Sequence, residues 1–143
     1  MKTQSCKAKG RRLQQQIVQD LLQRFPELTD DDVRSTSMGA NGEDILLSTS
    51  ARRYIPFSFE AKNQERVNIW SAIEQAGTNA PRDADVAVVI KKNKTKPHVV
   101  LTWECFLRLI RPDVASEAQS ETTKQQLESM AMELQHIANA MVE

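Results

Sequence analysis

The sequence predicts an α/β protein with a mixed central sheet flanked by helices. Three observations carry that prediction. Apolar residues recur at helical spacing over 12–25 and again over 67–76, whereas the segments around 57–62, 86–90 and 98–102 alternate or run apolar as strands do. The order along the chain is helix, three strands, helix, two strands. Finally, 143 residues at 40% hydrophobic and 27% charged suit one soluble domain with a modest appendage and exclude wholesale disorder.

Residues 2–12 form a basic lead-in, expected to be mobile. Leu13, Ile17, Val18, Leu21, Leu22 and Phe25 then build one helical stripe that Pro26 ends. A short strand is predicted over 33–37, and Met38-Gly39-Ala40-Asn41-Gly42 has turn chemistry. Strands over 44–48 and 54–62 follow, joined by a polar turn at 49–53. The second helix carries Val67, Trp70, Ile73 and Ala76 on one stripe. Strands at 85–91 and 98–102 flank a basic loop, Lys91-Lys92-Asn93-Lys94-Thr95-Lys96-Pro97, and a short helix at 106–110 ends before Pro112. Trp70 and Trp103 read as core or interface anchors.

The body, residues 1–112, holds 18 Lys/Arg against 13 Asp/Glu, while residues 113–143 hold one Lys against six acids. A basic body points to an anionic partner. In the acidic tail, Leu127, Met130, Leu134, Ile137 and Met141 are spaced as an a/d seam over about two heptads, which reads as an oligomer seam or a helix folded back on its own domain, the former favoured. No apolar run approaches the roughly 20 residues of a membrane span, and no apolar secretory core is visible. Cys6 and Cys105 lack metal or disulfide-framework spacing, and no Cys/His cluster surrounds His98 or His136, so a reduced cytoplasmic protein is expected.

Within the strand at 54–62, Phe57, Phe59 and Ala61 face one side and Ser58, Glu60 and Lys62 the other. Taken alone, Glu60 and Lys62 read as an ordinary ion pair, since chance supplies roughly 0.7 Glu-x-Lys in such a chain. The context adds specificity: Gly42-Glu43-Asp44 precedes on a neighbouring strand, and a helix lies ahead of both.

That order, with Asp44, Glu60 and Lys62, resembles the PD-(D/E)xK nuclease superfamily, nearest to small phage-type endonucleases and the archaeal Holliday-junction resolvase branch. The likeness covers residues 9–110, although Glu43 replaces the proline of the motif. Lys9-Gly10-Arg11-Arg12-Leu13-Gln14 is similar to the resolvases' opening helix, in which a glutamate joins the metal site; Gln14 stands there, with Gln15 beside it. Gln75 matches a glutamine carried after the Glu-x-Lys strand in several branches.

The resemblance implies a restriction-endonuclease-like core over 1–112, to which the apolar spacing of the tail adds a C-terminal amphipathic helix within 113–143. It further implies a DNA endonuclease dependent on Mg²⁺, with Mn²⁺ expected to substitute, and no organic cofactor. Asp44, Glu60 and the Ala61 carbonyl would hold the metal; Lys62 and Gln75 would complete the catalytic group. Arg11, Arg12, Arg52, Arg53, Lys91, Lys92, Lys94 and Lys96 are candidates for DNA phosphates. The partners expected are DNA and a second copy in a homodimer or higher oligomer, in the cytoplasm of a bacterial host if the chain is phage-encoded. Branched DNA or a junction is the substrate the resolvase branch suggests. The alternatives are a nuclease of ends or single strands and a non-catalytic DNA-binding or assembly protein on the same fold.

Overall fold

The computed structural model describes residues 2–37, 41–110 and 124–135. Contacts divide the chain into two compact units, Met1–Thr102 and Trp103–Glu143.

The first unit opens with α1 (Lys2–Arg24), so the basic lead-in is helical rather than mobile. Its Lys, Gln, Ala and Arg residues are good helix formers, and the one poor residue, Gly10, costs only about 1 kcal/mol. Next come β1 (Val33–Ser35) and β2 (Ile45–Leu47), an antiparallel pair, and Gly42 before β2 takes the positive φ (109°) that the turn requires. The turn residues 38–40 lie outside the described residues.

The polar turn expected at 49–53 is instead a helix, α2 (Thr49–Tyr54). The Ser48 side chain caps it by accepting from Ala51 N (3.1 Å), and Ala51 is fully buried. The following strand, β3 (Phe57–Asn63), therefore starts three residues later than predicted. Asn68 caps α3 (Ile69–Asn79) in the same way, through Ser71 N. β4 (Asp85–Lys91) matches its prediction, and β5 (His98–Val100) is shorter than expected.

β3 pairs in parallel with β4, which pairs antiparallel with β5, giving a mixed three-stranded sheet beside the two-stranded one. The parallel pair aligns Glu60 with Val88 and Lys62 with Ile90. Helices cover both faces. Leu13, Ile17 and Val18 of α1 pack in one cluster with Ala61 and Val89, which Phe57 and Phe59 adjoin. Ala72 and Ala76 of α3 pack on Val88, with Val86 and Ile90 adjoining. Covered on both sides, β4 reads as an unbroken apolar run. Leu13, Val33, Ile45 and Val88 are fully buried, each worth about 1.5–3 kcal/mol of apolar burial.

Trp70 does not join the α3 stripe. It is 81% exposed, and Ala72 takes the buried phase with Ile73 and Ala76. In the second unit, α4 (Trp103–Ile110) begins three residues earlier than predicted; Trp103, also largely exposed, stacks on Phe106. Residues 124–135 are helical, with Leu127, Met130 and Leu134 exposed; Ile137 and Met141 lie outside the described residues. Among the described residues, no helix is long and apolar enough to cross a membrane.

Candidate functional site

Asp44 sits at the entrance to β2, where the hairpin meets the larger sheet. Its backbone is held from both sides: Thr36 N donates to its carbonyl (2.9 Å), and its own N–H donates to Phe59 O (3.2 Å). Its carboxylate is held as well, with Oδ1 accepting from Gln14 Nε2 (2.8 Å) and Oδ2 from Ala61 N (2.7 Å). Each oxygen keeps a lone pair for another partner.

The bond from Ala61 N also fixes the direction of the Ala61 carbonyl. Within a strand, the N–H and C=O of one residue point to the same side. Because Ala61 N–H points at Asp44, its carbonyl does too, away from β4. Phe59, two residues earlier, obeys the same parity.

Glu60 faces the α3 side of β3 and is 3% exposed. Its Oε1 accepts from Lys62 Nζ at 2.7 Å, and Lys62 Nζ also donates to Gln75 Oε1 on α3 at 2.9 Å. Burial pushes the Glu60 carboxyl above its ordinary value; the Lys62 hydrogen bond opposes this, and the nearby Asp44 charge adds to it. Asp44 and Glu60 are thus close enough to feel one another.

Gln14, Asp44, Glu60, Ala61, Lys62 and Gln75 line one cleft of about 410 Å³. They come from α1, the β2 entrance, β3 and α3, so residues as far apart in sequence as Gln14 and Gln75 converge there. Helix phase selects Gln14 over Gln15, the former buried and the latter exposed. The Gln14 Oε1 is buried and has no hydrogen-bond partner.

The remaining predicted residues stand elsewhere. Arg11 and Arg12 are exposed on α1, and Arg53 is exposed on α2. Arg52 is engaged with Glu43, the residue before Asp44, in a largely buried ion pair, and so is not free for phosphate. Lys91 Nζ donates to Gln16 Oε1 (3.2 Å). Lys92, Lys94 and Lys96 are exposed around a turn in which Lys94 has φ 60°. None of these eight lines the Asp44 cleft.

The sequence reading missed Lys7, Ser37, Asn63 and Gln64, all of which line it. Lys7, Gly10 and Gln14 are spaced three and four apart, so helix phase from Gln14 would have found Lys7. Asn63 Nδ2 donates to Lys9 O (3.0 Å) and ties the end of β3 to α1.

Among the described residues, no group of three or more His, Cys, Asp or Glu could hold a metal. The donors here are of another kind: two carboxylates, a backbone carbonyl and an amide oxygen. Hard cations such as Mg²⁺ take oxygen ligands and keep several waters, so this set fits one. Comparison with protein-family models, curated proteins and solved structures finds no match to this chain.

Proposed function

We propose that the chain is a Mg²⁺-dependent DNA endonuclease of the PD-(D/E)xK type, with the restriction-endonuclease-like arrangement that implies. The observation that carries this reading is the convergence of Asp44, Glu60, Lys62, Gln14 and Gln75 on one cleft. A structural ion pair on a strand face would not require a second carboxylate beside it, held by one hydrogen bond to each oxygen.

A bound Mg²⁺ would supply a Lewis acid for the phosphate and a water of lowered pKa. Asp44, Glu60 and the Ala61 carbonyl would hold it, and the buried, unpartnered Gln14 Oε1 would gain a partner in the cation or its water. Lys62, steadied by Gln75, places its ammonium where charge grows on the phosphate oxygens.

The test is cleavage of a panel of linear, flap and junction DNAs with Mg²⁺. Wild type cuts at least one, and Asp44→Ala and Lys62→Ala lose cutting while retaining most DNA affinity. Equal activity of all three proteins would refute the reading. The neutral amide at Gln14 favours one rival, a non-catalytic DNA-binding protein on the same fold. Calorimetric titration with Mn²⁺ separates the two, since the rival needs no binding that depends on Asp44 and Glu60.

A further inference from the structure

Gln64, just past the end of β3, lines a second cavity as well as the Asp44 cleft. This cavity measures about 280 Å³. Val67, Ile69 and Ile90 give it apolar walls, and Gln64, Thr95 and His98 give it an amide, a hydroxyl and an imidazole. Ile69 is 38% exposed and belongs to neither core cluster, so part of the apolar lining is wetted.

The walls are fixed in advance. Gln64 N donates to Lys91 O (3.0 Å), and Asn93 N donates to Glu65 Oε1 (3.0 Å). Thr95 Oγ1 closes the turn by accepting from Lys92 N (3.3 Å) and donating to Lys92 O (3.1 Å). Glu65, the one acid in the lining, has an oxygen already engaged by Asn93 N. A preformed cavity spares a ligand the cost of ordering it.

Apolar walls with a polar edge suit a flat heteroaromatic ring, whose faces are apolar and whose rim carries donors and acceptors. A nucleobase has that form, but it offers its faces and pairing edge only when it has left the stack. Position supports the same occupant. An extended strand rises about 3.3 Å per residue, which sets Gln64 roughly 7 Å beyond Lys62 and 13 Å beyond Glu60. At about 3.4 Å of rise per nucleotide, that is two to four nucleotides from the cleft. Lys92, also in the lining, brings an ammonium for the adjoining phosphate.

We propose that this cavity holds an unpaired nucleobase of the strand that lies in the Asp44 cleft. The substrate class is then DNA with unpaired nucleotides two to four positions from the cut. The proposal rests on the nuclease reading of that cleft, and its test reads binding separately from cutting.

The test uses the full chain with Ca²⁺ replacing Mg²⁺, and duplexes with or without a short unpaired stretch carrying 2-aminopurine at successive positions. Wild type is expected to bind the unpaired form at least tenfold tighter than the paired form, with an emission change at one position. Ile69→Glu places a charge in the apolar lining at the first residue of α3, where an acid suits the helix. His98→Ala removes an exposed polar group. Both variants should bring the ratio of the two affinities close to one, a ratio that cancels general charge effects. Equal wild-type affinity for both forms, or a ratio that survives both variants, overturns the proposal. Loss of all Mg²⁺ cleavage with the ratio still cavity-dependent overturns the nuclease reading instead. No DNA binding at all overturns both.

Discussion

Replacing Gln14 by leucine separates a metal-site role from a structural one. In the metal-free protein Gln14→Leu removes the 2.8 Å bond to Asp44 Oδ1, and hydrogen bonds to a charged group are worth about 1.5–3 kcal/mol. Asp44 is half-buried in an open cleft, so water replaces part of that loss. The substitution also removes the unpartnered buried Oε1, which costs about 1–3 kcal/mol while unsatisfied. The two changes nearly cancel, and the metal-free melting temperature should move by only a few degrees.

Metal binding responds differently, because losing an outer partner weakens affinity about 10-fold or more. At a Mg²⁺ concentration of 100 times the wild-type Kd, wild type gains about 2.7 kcal/mol and a tenfold weaker variant about 1.4. At about 4 °C per kcal/mol, the Mg²⁺-induced rise falls from roughly 11 °C to roughly 6 °C. Differential scanning fluorimetry over a Mg²⁺ series reads both quantities. A large drop in metal-free stability with an unchanged Mg²⁺-induced rise would show that Gln14 is only a tie between α1 and the β2 entrance.

Four further outcomes follow from the geometry. Glu60 is held above its ordinary value of 4.5, mainly by burial, so its protonated form favours the folded state. That contribution is complete below 4.5 and is lost as pH rises through the folded value; Glu60→Gln should flatten the difference in metal-free denaturant curves across this window. Arg52→Ala leaves Glu43, with its side chain 10% exposed, unpaired and should cost about 2 kcal/mol of stability. Arg53→Ala should leave stability alone and lower the salt slope of DNA binding by about one, read by fluorescence anisotropy at several salt concentrations. Removal of residues 117–143 should bring the mass seen by light scattering down to that of a single shortened chain if Leu127, Met130 and Leu134 meet a second copy; loss of only the deleted residues' own mass assigns them another role.

The parts of the fold that could be read ahead were those written in periodicity. β4 has its predicted bounds because both faces are covered and every residue from Val86 to Ile90 is apolar. α2 was missed because its six residues carry too short a pattern, and Thr-Ser-Ala-Arg-Arg reads as polar loop. Its signal was the capping Ser48 ahead of Ala51. Trp70 leaves the stripe because the strict threes of Val67, Trp70, Ile73 and Ala76 drift around a helix of 3.6 residues per turn; Ala72 and Ala76 pack on Val88 and the tryptophan is turned outward.

In the site, strand parity was enough to put Glu60 and Lys62 on one face. Parity could not show which oxygen of Asp44 each neighbour holds. Nor could it show that Arg52 is taken by Glu43, since both depend on tertiary contacts formed after the strands pair. The dividing line is therefore between local pattern, which sequence carries, and the choice among several nearby partners, which it does not.

The amide at Gln14 has a consistent electrostatic account. Asp44 and Glu60 stand against Lys62, and Lys7 also lines the cleft, yet burial together with Asp44 still disfavours ionised Glu60. A glutamate at 14 would set an ionised carboxylate against Asp44 Oδ1, where Gln14 now donates, and like charges at that range repel. The amide avoids this by donating from Nε2 to organise Asp44 and leaving a neutral oxygen for a cation or its water. Attraction for that cation falls by one charge, while the empty cleft stays ordered. Lys62 serves the same end from the other side. It neutralises Glu60 in the metal-free protein, and with Glu60 engaged elsewhere it still has Gln75 to hold its ammonium in place. Under the proposed function, these held positions would set the charges before the substrate arrives, as a phosphate-cleaving site needs.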